Sequence, residues 1–424
     1  MGLISEIIFC LLTLFSFGMF AQKIGRIRRS ILLGKPAHLN DQADQRWKHV
    51  FLLAFGQKKM FQKPIVAILH LIVYIGFIII NIELLEIIID GILGTHRVFS
   101  TSLGELYTFL INAFEILAVL VTIACIVFLV RRNTLKLKRF LSKDLDGWPR
   151  SDANFILIAE IILMSLFILM NAADPDVTFI ISKNISPFLY NQFNHTQLFL
   201  IEKSAWWLHI IGIYAFMNYL PYSKHLHIIL AFPNAYYAPL VPKGVMHNMP
   251  AIQNEVLYAM QPELAPTNTV APESFGAKEA TELSWKNLMD AYSCSECGRC
   301  TDACPANSTG KLLSPRKIMM ATRDRIETIA KNIEINKAFV PDGKTLLHDY
   351  ITVEELRACT TCNACVEECP ISISPLDIII ELRRSLVMEQ SNAPQEWNSM
   401  FSNIENNFAP WKFSPDDRDA WTKA

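Results

Sequence analysis

Eight cysteines follow one spelling written twice. Cys294-Ser-Glu-Cys297-Gly-Arg-Cys300-Thr-Asp-Ala-Cys304-Pro305 comes first. With 54 residues between Cys304 and Cys359, the second reads Cys359-Thr-Thr-Cys362-Asn-Ala-Cys365-Val-Glu-Glu-Cys369-Pro370. Three thiolates at this spacing can wrap three irons of one [4Fe–4S] cubane, and the fourth is aimed at the other cluster. The spacing therefore predicts one cluster on Cys294, Cys297, Cys300 and Cys369. It predicts a second on Cys359, Cys362, Cys365 and Cys304. Zinc is the rival, but zinc usually takes separated pairs of cysteines around one tetrahedral ion. Two complete runs fit that badly. Cys10 and Cys125 lie inside apolar runs and read as packing residues. Thiolates used in this way call for a reducing compartment.

The elements that must hold these thiols begin with an apolar half. Hydrophobic residues make up 51% of the 424, too many for an ordinary soluble chain. A net charge of −1 gives no basic face for nucleic acid. Apolar runs cover 3–21, 64–89, 103–130, 153–170 and 204–222. Each can cross ~30 Å of hydrocarbon at ~1.5 Å per residue. No basic residue precedes the first run and no cleavage site ends it, which predicts a retained helix rather than a signal peptide. Lys and Arg number ten in 22–63 and seven in 131–150, against one in 90–102 and two in 172–203. The rich loops belong in the cytoplasm. Five crossings then place the amino terminus outside a cytoplasmic (inner) membrane and the cysteines inside.

The predicted organisation has four parts. Residues 1–231 form a five-span membrane domain, and 232–282 an irregular connector rich in Pro, Ala, Asn and Thr. Residues 283–388 hold the cysteines, and 389–424 form a polar tail that drapes over a surface or docks a partner. Thr352 and Glu355 spell a capping box ahead of Cys359. Ser314-Pro315 and Ser374-Pro375 each place an N-cap before a first-turn proline. Strand signals are sparse. The fold class is all-α: a five-helix transmembrane bundle followed by a cytoplasmic, α-helical ferredoxin-type domain.

Four histidines accompany the spans. His70 lies about two turns into the second run, and His209 is read near the outer end of the fifth. His225 and His227 follow Leu220-Pro221-Tyr222-Ser223-Lys224. Metal-binding side chains within spans are uncommon and functional by default. Their obvious ligand is haem b, held between imidazoles of two helices.

Here the chain resembles known families. Its first 235 residues resemble the haem-b gamma subunit of respiratory nitrate reductase, by His70, His209, Pro221-Tyr222-Ser223-Lys224 and His227. Residues 283–388 are similar to the cluster domain of heterodisulfide-reductase-type proteins. The fusion looks like membrane iron–sulfur oxidoreductases such as electron-transfer-flavoprotein:menaquinone oxidoreductase. The resemblance implies an axial pair His70/His227, and an outer haem on His209. The family's partner for that outer haem falls on Ile80 here, so that haem is either lost or held by a substitute such as His96 or His195. A continuous helix from His209 to His227 rises about 27 Å, which keeps the two from sharing one haem. His225 is expected to point away, toward the headgroups. No cysteine follows Cys369, so no Cys-Cys-Gly domain is present in this sequence, and a separate subunit is a candidate partner.

The reading that follows is an oxidoreductase subunit with no bond-making residue. It passes electrons between a cytoplasmic redox partner and a membrane quinone through two [4Fe–4S] clusters and haem b. A haem-free anchor is one alternative. A redox-driven ion-translocating subunit is another, with Glu115 and Glu160 on the ion path or paired structurally with Asn112 and Ser165. No Gly-rich dinucleotide or phosphate loop appears.

Overall fold

The computed structural model describes residues 2–175, 178–242, 245–266, 274–412, 414–417 and 419–423. Five long helices come first: α1 Leu3–Ile31, α2 Pro64–Leu93, α3 Glu105–Asn133, α4 Trp148–Ala173 and α5 His195–Tyr219. Among the described residues, α1 to α4 are long and apolar enough to cross a membrane. α5 belongs to the bundle, but Trp206, Trp207, His209 and Asn218 dilute its apolar run. The expected fifth span is thus the least apolar of the set. α2 opens with Pro64 in its first turn and closes on Gly94 in the left-handed conformation (φ +69°), a stop favoured by a residue without Cβ.

α2, α3, α4 and α5 pack in order, and α1 closes the ring against α2 and α5. Their shared core holds Phe9, Ile111, Phe114, Phe167, Ile210 and Tyr214. Two glycines of α2 permit close approach. Gly76 faces Val121, and the ring of Phe9 lies where a side chain at 91 would stand.

α5 does not continue to His227. It stops at Tyr219, and Ser223 is extended (φ −109°, ψ 163°) between two short turns. Pro221 lacks the amide that a continuing helix needs. A new helix, α6 His227–Tyr236, starts beyond. The rise expected for one continuous helix therefore does not apply.

The cysteine domain is built from α8 Trp285–Ser293, α9 Pro315–Asn336, α10 Val353–Ala358 and α11 Pro375–Arg384. The described residues hold no strand, only isolated bridges. The stretch before it is less irregular than expected, because it contains α7 Pro250–Met260. Its Pro/Thr-rich part at 267–273 lies outside the described residues. The tail likewise contains a helix, α12 Gln395–Asn407, with Trp397, Phe401 and Ile404 exposed.

The domain sits on the end of the bundle where α1 finishes and α2 begins. Ile27, Ile31, Leu220 and Leu226 are buried in the same core as Leu288, Ile318 and Leu382. Each such burial contributes on the order of 1.5–3 kcal/mol. The exposed pair Arg26–Glu334 at the same junction is worth about 0–1 kcal/mol. Apolar packing therefore dominates the contact. Arg316 adds a buried clasp. Its side chain is 0% exposed and bidentate to Asp144 of the α3–α4 loop, at 2.9 and 2.8 Å. It also donates to the Arg139 carbonyl at 2.8 Å. Residues 34–37 complete the joint: the Lys35 amide donates to Leu283, and the Trp285 ring donates to Ala37.

Candidate metal centres

Each cysteine run is delivered in the same way. α8 ends with Cys294 as an extended C-cap, and α10 ends with Cys359 likewise. The α10 start is the expected capping box, with Thr352 and Glu355 reciprocally bonded. Two residues per run then turn left-handed at matching positions. Glu296 (φ 53°) matches Thr361 (φ 54°), and Gly298 (φ 73°) matches Asn363 (φ 60°). Gly298 is also needed for space, since a Cβ there would stand 2.6 Å from Arg316 Nη1. A one-turn helix carries the third cysteine, and a proline follows the fourth. Ser314 and Ser374 then cap α9 and α11 through their side chains. The repeat thus reaches from spelling to backbone dihedrals.

The fourth cysteines cross over. Cys304 joins Cys359, Cys362 and Cys365 in the lining of one small pocket. Its lining has no carboxylate or imidazole. Cys369 conversely neighbours Cys297, Cys294 and Cys300. Among the described residues no three His, Cys, Asp or Glu groups meet as they do around one ion. The thiols of the second set stand around a space instead, a donor set suited to an iron–sulfur cubane.

Burial pushes the Cys294 thiol up to about 12 and Cys369 up to about 11. Burial also pushes Cys365 up to about 12, with Cys359 and Cys304 adding to it. Each thiol gives up its proton when it becomes a ligand. Backbone amides already point at sulfur: Ile373 N–H to Cys369 Sγ at 3.3 Å, and Thr361 N–H to Cys359 Sγ at 3.4 Å. Such donors stabilise the added charge of a reduced centre.

The two sets differ in surroundings. Lys59, from the segment before α2, donates to the Cys369 carbonyl at 3.1 Å and the Val366 carbonyl at 3.4 Å. Glu296 pairs with Lys224 at 2.8 Å and Arg323 at 2.9 Å. Burial alone raises the Glu296 carboxyl, but these two cations outweigh it and hold it below its ordinary value. In the other set Cys362 is exposed.

Three of the histidines lie near one another. His70 faces His227 and Arg299. His70 Nδ1 lies 3.0 Å from Gln57 Oε1, and His227 Nδ1 lies 2.9 Å from the Lys224 carbonyl. Each Nδ1 thereby has a partner, which leaves Nε2 as the nitrogen able to hold a metal. This fits an axial pair for haem b. His225 does not point away. It stacks on His227 at 5.6 Å, and the Phe216 ring meets it edge-on. The bend at 220–226 swings it inward, an effect hidden from a helix-period reading.

His209 sits mid-helix rather than near the outer end, because α5 begins nine residues earlier than the expected run. It is 2% exposed, packed beside Phe167 with its Nδ1 unpartnered. The suggested substitutes do not reach it. His96 pairs with Asp174 at 3.1 Å, and His195 opens α5 about 21 Å away along the axis. Glu115 is bonded to Asn171 and to the amides of Ile181 and Ser182 rather than to Ser165, and Asn112 accepts from Ile180 instead.

Residues 293–373 match the family described as "4Fe-4S dicluster domain". Over its length the chain is similar to two curated proteins. One is the "Probable iron-sulfur-binding oxidoreductase FadF" of Bacillus subtilis, 24% identical over 98% of this chain and 60% of that protein. The other is the "EtfAB:quinone oxidoreductase" of Syntrophomonas wolfei, 27% identical over 91% of this chain and 55% of that protein. A shorter match is to one polypeptide of the ferredoxin/F(420)H(2)-dependent CoB-CoM heterodisulfide reductase of Methanosarcina acetivorans, 37% identical over 28% of this chain and 60% of that one. The chain spans about 60% or less of the length of these relatives. No solved structure matches. The relatives are iron–sulfur oxidoreductases, and the chain combines a dicluster domain with apolar, membrane-length helices.

Proposed function

We propose that this chain passes electrons between a cytoplasmic redox partner and the membrane quinone pool, through two [4Fe–4S] clusters and haem b. One observation carries the reading. The loop of the first cysteine run is tied both to the histidine turn and to the segment that leads into the His70 helix: Glu296 pairs with Lys224 at 2.8 Å, and Arg299 donates to the Lys59 carbonyl at 3.5 Å. The proposed first cluster takes Cys294, Cys297, Cys300 and Cys369. The proposed second takes Cys359, Cys362, Cys365 and Cys304. His70 and His227 are the proposed axial pair, and His209 is left without a partner ring. When bound, these groups carry electrons one at a time.

The chain's own residues supply position and charge. Exposed Cys362 marks the side a soluble partner, or a subunit with Cys-Cys-Gly domains, reaches first. Lys59 and Arg299 bring positive charge to the first set, which favours the state holding an extra electron. Gln57 and the Lys224 carbonyl orient the two rings. The quinone enters from the name of the Syntrophomonas relative. The Lys and Arg count supports an outside amino terminus and a cytoplasmic cysteine domain. The proposed division is a five-span membrane domain to 231, a connector to 282, the cluster domain to 388, and a tail.

A redox titration of purified protein, followed by EPR and optical spectra, tests this. Two cubane signals and a b-type spectrum are expected. His70→Ala and His227→Ala each lose the b-type bands and keep both cubanes. Fewer than two cubane signals, or a full b-type spectrum in His70→Ala, overturns the reading.

A further inference from the structure

The end of the bundle remote from the cysteine domain carries a buried acidic array that the electron route does not use. Glu83, Glu86 and Asp90 recur at i, i+3 and i+7, so all three lie on one face of α2. All are buried. Asp90 caps the following turn, accepting from the Arg97 amide at 2.7 Å and the Val98 amide at 3.1 Å. Glu86 accepts from the Phe99 amide at 3.0 Å and the Tyr107 hydroxyl at 2.9 Å. Glu115 accepts from Asn171 and two amides, and Asp174 from Arg97 at 2.9 Å. Each of these four carboxyls is held by donors.

Glu83 is the exception. It is 4% exposed, and its Oε2 meets no hydrogen-bond partner. The charged groups that face it are Arg97, Glu86 and Glu115. One guanidinium therefore stands among several carboxyls, and it is already engaged by Asp174, Tyr107 and Asn171. A buried carboxylate without donors or its own cation costs several kcal/mol, and the neutral acid avoids that cost.

The array is also connected to the surface. His96, 45% exposed, bonds Asp174. Asp174 bonds Arg97, Arg97 bonds Tyr107, and Tyr107 bonds Glu86. Glu83 lies one turn of α2 further in.

We propose that Glu83 is a proton-exchange site: a carboxylic acid that trades its proton with water on the His96 side of this network, where the donor-only Arg97 guanidinium fixes Asp174 and Tyr107 in place rather than carrying the proton. Resting on the quinone reading above, it serves the proton half of that reaction. Reduction of a quinone to a quinol takes two electrons and two protons. The electrons come from the reduced cysteine-domain side. Glu83 supplies the two protons in turn, one for each electron, and after each transfer the carboxylate regains a proton from water on the His96 side.

Infrared difference spectra of the detergent-purified full chain test the protonation directly. At neutral pH a carboxylic-acid C=O band that shifts in heavy water is expected. It is lost in Glu83→Gln and restored, displaced, in Glu83→Asp. Slower heavy-water exchange of the band in His96→Ala supports the route. An unchanged band in Glu83→Gln overturns the proposal. Quinone reduction by the chemically reduced protein, with a short-chain naphthoquinone as probe, tests the coupling. In Glu83→Gln the rate falls by about 10²-fold, the low end of what a positioned acid supplies, while cluster EPR signals persist. An unchanged rate overturns the coupling. If the wild-type protein reduces no quinone, the quinone reading falls, and the infrared band still decides the state of Glu83.

Discussion

Around Cys294, Cys297, Cys300 and Cys369, charged side chains arrive from outside the cysteine domain. Lys59 comes from the segment before α2, and Lys224 from the turn after α5. Around Cys304, Cys359, Cys362 and Cys365 the neighbours belong to the domain itself, as with Arg383, which donates to the Cys359 carbonyl. The first set is enclosed by the joint to the bundle, while the second opens to solvent at Cys362. Two nearly identical backbones are thus placed in unlike dielectric and charge. Burial, net charge and hydrogen bonds to sulfur set the potential of an iron–sulfur centre. The contrast teaches that one repeated motif can be set in two unlike environments, which the proposed centres would feel as different potentials.

The comparison breaks most severely at the ligands. Cys369→Ala is expected to lower iron by about half, since one of two centres is lost. It should also loosen the joint, because the segment after Cys369 is tied to Asn234 through the Ile371 carbonyl. Cys362→Ala should cost as much iron and leave the joint intact. Iron content and limited proteolysis check both. Equal loosening in the two variants removes the distinction.

Next in size is the clasp. Arg316→Met leaves Asp144 buried without its cation and should destabilise the joint by about 3–5 kcal/mol, read by chemical denaturation. The EPR signal of the first set should broaden while the second stays sharp. The clasp has a pH signature. Burial alone raises the Asp144 carboxyl, but Arg316 outweighs it and holds the carboxyl below its ordinary value. Its contribution is therefore complete above the unfolded value of about 3.9 and is lost as pH falls through the lower folded value. Joint stability should be flat near neutrality and drop only in strong acid. In Asp144→Asn that acid dependence should shrink.

The smallest expected effect sharpens the contrast. Lys59→Met removes one cation beside the first set and should lower its midpoint potential, because the reduced, more negative state loses a neighbour. The second set should not move. A potentiometric EPR titration separates the two, and equal shifts in both would show that Lys59 acts through global structure.

Much of this was legible in the sequence where the signal is local. The cysteine spelling, the capping box at Thr352 and the Ser-Pro helix starts are short-range patterns, and each appears in the fold. The long helices followed from hydropathy, with ends displaced by a few residues. The sequence reading failed where an average hides a minority. The run at 64–89 looked uniformly apolar, yet Glu83 and Glu86 lie within it and Asp90 just beyond. Their i, i+3, i+7 spacing was the available clue. It also failed where geometry is set at a distance. Pro221 and extended Ser223 bend the chain after Tyr219, and only that bend brings His225 and His227 together with His70.

α1 is held in two places: Phe9 packs within the bundle, and Ile27 and Ile31 within the cysteine domain. Its 29 residues make a rod of about 43 Å. A stiff rod gripped in two places acts as a lever. A displacement of Phe9 beside Gly91 would be carried along the same shaft to Ile27 and Ile31, which share a core with Tyr292. Events at one membrane face can in that way be felt mechanically beneath the iron-binding head, with no charge crossing between them.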